Sequence, residues 1–140
     1  MKRNRAKTLF NKAEKLWKEI CYKRDGKQCQ VQKHFPYINI SHTKVFQVDH
    51  CITRRCSWTF FMIENATVVC SACNQAKGFN SKSVSRAIDE IVIKREGQDV
   101  FDEMVAIDRS KKPNRDWKSV WYLENIIKIL EKQKELYEVL

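Results

Sequence analysis

One stretch, Gln47 to Gly78 (QVDHCITRRCSWTFFMIENATVVCSACNQAKG), limits what this chain can fold into more than any other. It holds Asp49-His50, then Asn65, then Cys70-x-x-Cys73 with Asn74 directly behind, and it closes on Lys77 and Gly78. Two thiolates one helical turn apart suit zinc. Asp and Asn supply hard oxygen ligands that suit Mg²⁺ or Mn²⁺. A neutral imidazole takes a proton from water near pH 7. A hydrolytic metal site on a zinc-stapled scaffold uses all of these residues together.

The pattern around that stretch places the residues on elements. Lys44 to Cys51 alternates, with Val45, Gln47 and Asp49 on one side and Phe46, Val48 and His50 on the other, which reads as a strand. Trp58 to Ile63 is a second β-rich run, and the two are expected to pair as a hairpin across a long connection. Asn65 to Val69 then leads into a short helix starting near Cys70 or Ser71, with Asn74 and Lys77 near one face and Gly78 as its stop. The result is a ββα unit. Asp49 and His50 point to opposite faces of an ideal strand, so both serve one site only if the strand ends or bulges there.

Helices flank this unit. From Thr8, the residues Leu9, Ala13, Leu16 and Ile20 share one face, with Phe10 and Trp17 beside them. Residues 1–7 form a basic arm that either contacts phosphate or is simply solvated. Cys29-Gln30-Val31-Gln32 resembles half of a zinc knuckle whose second Cys is Gln32. Phe35 to Ser41 reads as an irregular loop. Ser81 caps a helix carrying Val84, Ile88, Ile91 and Val92 that stops at Gly97, and a short helix follows over Val100 to Ile107. Pro113 breaks the chain. A long helix then runs from about Asp116, with Val120, Leu123, Ile127 and Leu130 as its stripe and Trp117 and Trp121 extending that face. Cys21 reads as a helix-packing residue. The expected fold is α+β, mostly helical around a central zinc-stapled ββα motif. It forms a single domain over 1–140, with an N-terminal helix over 8–24, the core over 27–80 and C-terminal helices over 83–140.

Composition narrows the partners. With 27 Lys plus Arg against 17 Asp plus Glu the net charge is +10, which points to a polyanion, most simply nucleic acid. At 43% hydrophobic the chain buries a modest core that a structural metal would help. No apolar run is long enough to span a membrane. The charged start, Met1-Lys2-Arg3-Asn4-Arg5, is followed by no apolar signal segment, so the expected setting is the reducing cytoplasm. There, six Cys read as metal ligands rather than as bridges.

Cys29, Cys70 and Cys73 make a three-thiolate set, and zinc wants a fourth ligand. His34 is chosen by type and nearness; His42, Cys51 and Cys56 are the alternatives. In the hydrolytic site His50 is the base, Asp49 and Asn74 hold a single Mg²⁺ or Mn²⁺, and Asn65 fixes the loop or the imidazole. Arg54, Arg55 and Lys77 are candidate DNA phosphate contacts.

At these residues the chain resembles the HNH, or ββα-metal (His-Me finger), nuclease superfamily, with Asp49-His50, Asn65 and Asn74 at its three motif positions. The H-N-N form with Cys-x-x-Cys-Asn looks like the recombination endonuclease VII group. The segments ENATVVCSACNQAKGFN and REGQDVFDEM and the Trp-led last helix are similar in order to the phage NinG (Rap) recombination family, over roughly residues 16 to 136. The resemblance implies a metal-dependent DNA endonuclease that acts on branched DNA, such as four-way Holliday junctions, with structural zinc, in the cytoplasm of the host cell of a phage. A two-fold homodimer would suit symmetric cutting; the last helix either supplies that interface or packs on the first helix. Two departures stand out. Gln32 replaces a zinc Cys, and a loop over Phe35 to Thr43 looks inserted. Two alternatives remain: a non-catalytic zinc module that binds nucleic acid, and a homing-type or non-specific nuclease of the same superfamily. Asp49-His50 with Asn74 separates the enzyme readings from the binder, which has no need of them.

Overall fold

The computed structural model describes residues 2–52, 57–110 and 119–139. Among the described residues, seven helices surround one small sheet. The order is α1 (Lys2–Asp25), α2 (Gln30–His34), β1 (Phe46–His50), α3 (Ser57–Phe60), a 3-10 turn (Ile63–Asn65), β2 (Ala66–Cys70), α4 (Ser71–Gly78), α5 (Lys82–Glu96), α6 (Gln98–Ser110) and α7 (Val120–Val139). The class is α+β and mostly helical. Among the described residues, no helix is long and apolar enough to cross a membrane.

β1 pairs antiparallel with β2, Phe46 opposite Cys70 and His50 opposite Ala66. The second strand is therefore 66–70, not the expected 58–63. The reason lies in burial. All five residues of β2 are buried, so it lacks the polar-apolar alternation that marks a half-exposed strand. Ala66 and Val68 enter one core, with Trp17, Ile20, Phe60, Phe61, Leu123 and Leu130. Val69 enters a second core, with Val31, Val84, Ile88 and Ile91. Phe60 and Phe61 are both buried although adjacent, which a turn allows and a period of two does not.

The first and last helices pair over most of their length. In α1 the buried and half-buried residues Ala6, Leu9, Ala13, Leu16 and Ile20 follow a 3-4 spacing. In α7, Val120, Leu123, Ile127 and Leu130 do the same, and Tyr137 lies two turns further on. Ion pairs Arg5–Glu124 and Lys12–Glu131 flank the seam, each step seven residues on, and Lys23–Glu138 closes it. Low numbers meet low and high meet high, so the helices run parallel, in the manner of a short coiled coil. From Lys2 onward the basic arm expected over 1–7 is thus the first turns of α1, with Ala6 buried and Arg5 paired to Glu124. The stripe of α7 packs on α1. Trp121 does not extend that stripe: it is 74% exposed, on the outer side of α7 with Ile129 and Leu136. Trp117 lies outside the described residues.

The helix stops follow local chemistry. Ser81 accepts from Val84 N–H and begins α5, and Gly97, at φ +99°, ends it. α4 runs through Gly78, and the left-handed residue that turns the chain is Asn80 at φ +63°. Asn reaches that region more readily than most side-chain-bearing residues.

A buried clamp ties α1 to the sheet. Arg24 meets Asp25 with two bonds, Nε to Oδ1 at 2.7 Å and Nη2 to Oδ2 at 3.0 Å. It also donates to the carbonyls of Ile63 and Ala66. Asp25 Oδ2 accepts from Val68 N–H at 3.1 Å, on the edge of β2 that β1 leaves open. Arg95 of α5 donates to the Glu64 and Ala66 carbonyls from the other side. Burial disfavours the charge on Arg24, but the bonds to Asp25 outweigh it and hold the guanidinium charged. Asp25→Ala leaves a buried guanidinium without its partner and should cost about 3–5 kcal/mol. Glu124→Ala removes only an exposed ion pair and should cost about 0–1 kcal/mol. Urea unfolding of the two variants checks the contrast.

Candidate metal centre and adjoining groove

Four side chains from three separate segments meet at one point. Cys29 stands at the N-cap of α2. His42 comes from the loop before β1, and Cys70 and Cys73 from the junction of β2 with α4. Their ligand atoms all lie within 4.8 Å of one another. Cys29 Sγ is 3.7 Å from Cys73 Sγ, and His42 Nδ1 is 3.4 Å from both Cys70 Sγ and Cys73 Sγ. A tetrahedral zinc site with its usual bond lengths has S–S edges of about 3.8 Å and S–N edges of about 3.6 Å. The cluster therefore has the size and donor set of a Cys₃His zinc site. The three cysteines are free thiols, with no disulfide drawing any of them away.

The local fold explains the convergence. Cys70 caps α4, its sulfur accepting from Cys73 N–H at 3.4 Å, so the cap and the ligand pair are one device. Burial pushes the Cys70 thiol up, but the N–H groups of Thr43 and Cys73 and the His42 ring more than offset it and bring it down to about 6. Cys73 moves the other way, pushed up by burial and then by Cys29 and Cys70. Adjacent thiolates repel, and a bound divalent cation removes that conflict. His42 Nε2 is buried with no hydrogen-bond partner among the described residues.

His42, not His34, completes the set. Cys29 caps α2 and His34 ends it. Five positions along a helix displace a side chain by about 7.5 Å and about 140°, so these two cannot converge. His34 instead bonds Gln30 Oε1 at 3.2 Å. Cys51 is no ligand either: its thiol donates to Asp89 at 3.1 Å and is pushed up by burial and by that carboxylate. Cys56, Arg54 and Arg55 lie outside the described residues. Cys21 is fully buried on α1, its thiol pushed up to about 12 by burial.

A groove of about 340 Å³ lies beside β1, lined by Lys18 and Tyr22 of α1, by Phe46 to His50, and by Asn74 of α4. β1 carries no bulge. It ends at His50, and the groove wraps its open edge, so Asp49 and His50 reach one space from opposite faces. The His50 ring stacks on Trp17 with centroids 4.5 Å apart and lies 4.4 Å from Phe60. Its Nε2 sits 3.0 Å from the Phe60 carbonyl. A carbonyl only accepts, so Nε2 carries the proton and, in the neutral ring, Nδ1 carries the lone pair.

Asn65 is fully buried behind this site. Its Oδ1 accepts from Ile52 N–H at 2.6 Å, and its Nδ2 donates to the carbonyls of Thr59 and Ile52. It pins the chain leaving β1 to the segment that carries Phe60. Of the two roles considered for Asn65, the contacts match loop fixing. On the other face, Asn74 Nδ2 donates to Gln47 Oε1 at 2.6 Å, and Lys77 Nζ meets Asp49 Oδ2 at 2.6 Å and the His50 carbonyl. Lys77 is thus turned inward onto Asp49 rather than outward to a phosphate. His42 stood among the alternative fourth ligands in the sequence, whereas Lys18, Tyr22 and Gln47 carried no assigned role there.

Comparison with protein-family models, curated proteins and solved structures finds no match to this chain. The centre is therefore defined by its own chemistry. Purified protein should carry about one zinc per chain by elemental analysis. Cys29→Ser, Cys73→Ser and His42→Ala should each lose most of that zinc and lower the melting temperature. His34→Ala should keep it.

Proposed function

We propose that the chain is a metal-dependent DNA endonuclease of the HNH, ββα-metal type, with β1, β2 and α4 as its ββα unit. The observation that carries the reading is the shared groove at the open edge of β1, which Asp49, His50 and Asn74 all line while Asn65 pins the chain behind it. The donors also fit a divalent ion. Asp49 offers a carboxylate, and the Asn74 amide bonds Gln47 through its nitrogen end, which leaves its oxygen as the donor. Mg²⁺ sites use one or two protein oxygens with water and phosphate for the rest. Held by Asp49 and Asn74, such an ion would neutralise charge on the pentacovalent phosphorus and the departing oxygen.

The chain's own residues do the remaining work. His50 takes the proton from the attacking water at Nδ1. Trp17 and Phe60 hold the ring by stacking, and the Phe60 carbonyl fixes its tautomer. Asn65 keeps that carbonyl's segment in place. The net charge of +10 draws the DNA strand in. The Cys₃His centre, filled by zinc, anchors both ends of the β2–α4 junction and does no chemistry. Branched DNA in phage recombination is the substrate that the resemblance to the NinG family suggests. For two symmetric cuts a second copy would dock on the outer side of α7, at Trp121, Ile129 and Leu136.

The second reading is a zinc module that binds nucleic acid without cutting it. The ion pair from Lys77 to Asp49 favours it, because a neutralised carboxylate has no need of a metal.

Cleavage decides between them. Purified protein with Mg²⁺ or Mn²⁺ should cut four-way DNA in preference to linear duplex. His50→Ala should lower the rate by about 10²–10⁴-fold while the circular dichroism and zinc content stay those of the parent. Binding without cutting under either ion establishes the second reading.

A further inference from the structure

The feature beside the groove that the nuclease reading leaves unexplained is Lys77. It sits on α4 one turn beyond Asn74, and its ammonium reaches across to β1. There it meets two oxygens, Asp49 Oδ2 at 2.6 Å and the backbone carbonyl of His50. The side chains are 22% and 13% exposed, so the pair is largely withdrawn from water. An ammonium surrounded by a carboxylate and a carbonyl is bound much as a small cation is bound. The carboxylate it holds is the one a divalent ion would need.

We propose that Lys77 is a built-in occupant of the cation position and that a divalent ion binds by displacing it from Asp49. This deepens the nuclease reading and rests on it. A dication and an ammonium on one half-buried carboxylate repel strongly in a medium less polar than water. One must leave, and the tethered one moves only as far as its four-carbon stem allows. Released, the ammonium remains at the groove beside Asn74, where a phosphate is the group it can pair with. The exchange keeps Asp49 neutralised at every stage. It also makes ion binding weaker in the free protein than the donor set alone would give. DNA that pairs with the released ammonium then strengthens ion binding, and by reciprocity the ion strengthens DNA binding.

The test measures Mn²⁺ binding to the full-length protein in its zinc-loaded form, by calorimetry and without DNA. Lys77→Met should bind Mn²⁺ about tenfold more tightly than the parent. Lys18→Met removes the same charge from the same groove, but its ammonium is paired with Glu14, and it should change the affinity less than about threefold. Lys77→Met should also melt below the parent in the absence of divalent ions and be raised further than the parent by Mn²⁺. Lys77→Arg keeps the charge and grips a carboxylate with two bonds, so it should bind Mn²⁺ more weakly than the parent; it serves too if the Met variant does not fold. Equal affinities for parent and Lys77 variants overturn the displacement and leave the nuclease reading standing. So does an equal gain in Lys18→Met, which would mean general relief of charge. If no form binds Mn²⁺, the assignment of Asp49 and Asn74 as ion ligands fails, and the displacement with it.

Discussion

The ion pair of Arg24 with Asp25 is the constraint on which the sheet depends. Two strands alone are marginal in water. Here the outer edge of β2 is met by a side chain instead of a third strand, since Asp25 takes the Val68 N–H that would otherwise be buried without a partner. Arg24 and Arg95 then close on the carbonyls of Ile63, Glu64 and Ala66 from two helices. Breaking such an arrangement is expensive because each charge is buried and each is needed by the other. With that edge sealed, only the β1 edge remains open, and the groove forms there.

The Cys₃His centre is the second fastening, and it acts at the far end of the same sheet. Its four side chains come together from the N-cap of α2, the loop before β1 and the start of α4. Between the two fastenings, β2 is held in both directions and α4 is aimed along β1. That aim brings Asn74 and Lys77 over Gln47 and Asp49. The groove is thus a by-product of how the sheet is secured. Its polar residues are presented by rigid elements, which is what an exact arrangement of donors requires.

Much of this was legible in the sequence, and the misses have physical causes. The strand over 46–50, the helix at Ser71, the cap at Ser81 and the stop at Gly97 follow from alternation and from capping chemistry. The Cys29, Cys70 and Cys73 grouping was legible from ligand type alone. β2 was misplaced because a strand buried on both faces shows no alternation, while the aromatic run Trp58 to Ile63 imitates one. His34 was preferred to His42 because nearness in sequence was taken for nearness in space. A helix between Cys29 and His34 turns that nearness into separation. The clamp at Arg24 and Asp25 was not legible, since nothing local tells a buried pair from two solvated charges. Trp121 was read as packing because the aromatic was assigned to a stripe one position off its true face.

The parallel pairing of α1 with α7 has a consequence for when the imidazole becomes usable. Trp17, the slab on which His50 rests, belongs to α1, and α1 is seated by Leu123, Ile127 and Leu130 of α7. Contacts so distant along the chain form late, because a long loop must close before they return any gain. During synthesis the nascent chain therefore exposes its thiols and basic residues well before the ring at 50 has a floor beneath it. The floor beneath the ring at 50 is therefore completed only when α7 is there to seat α1.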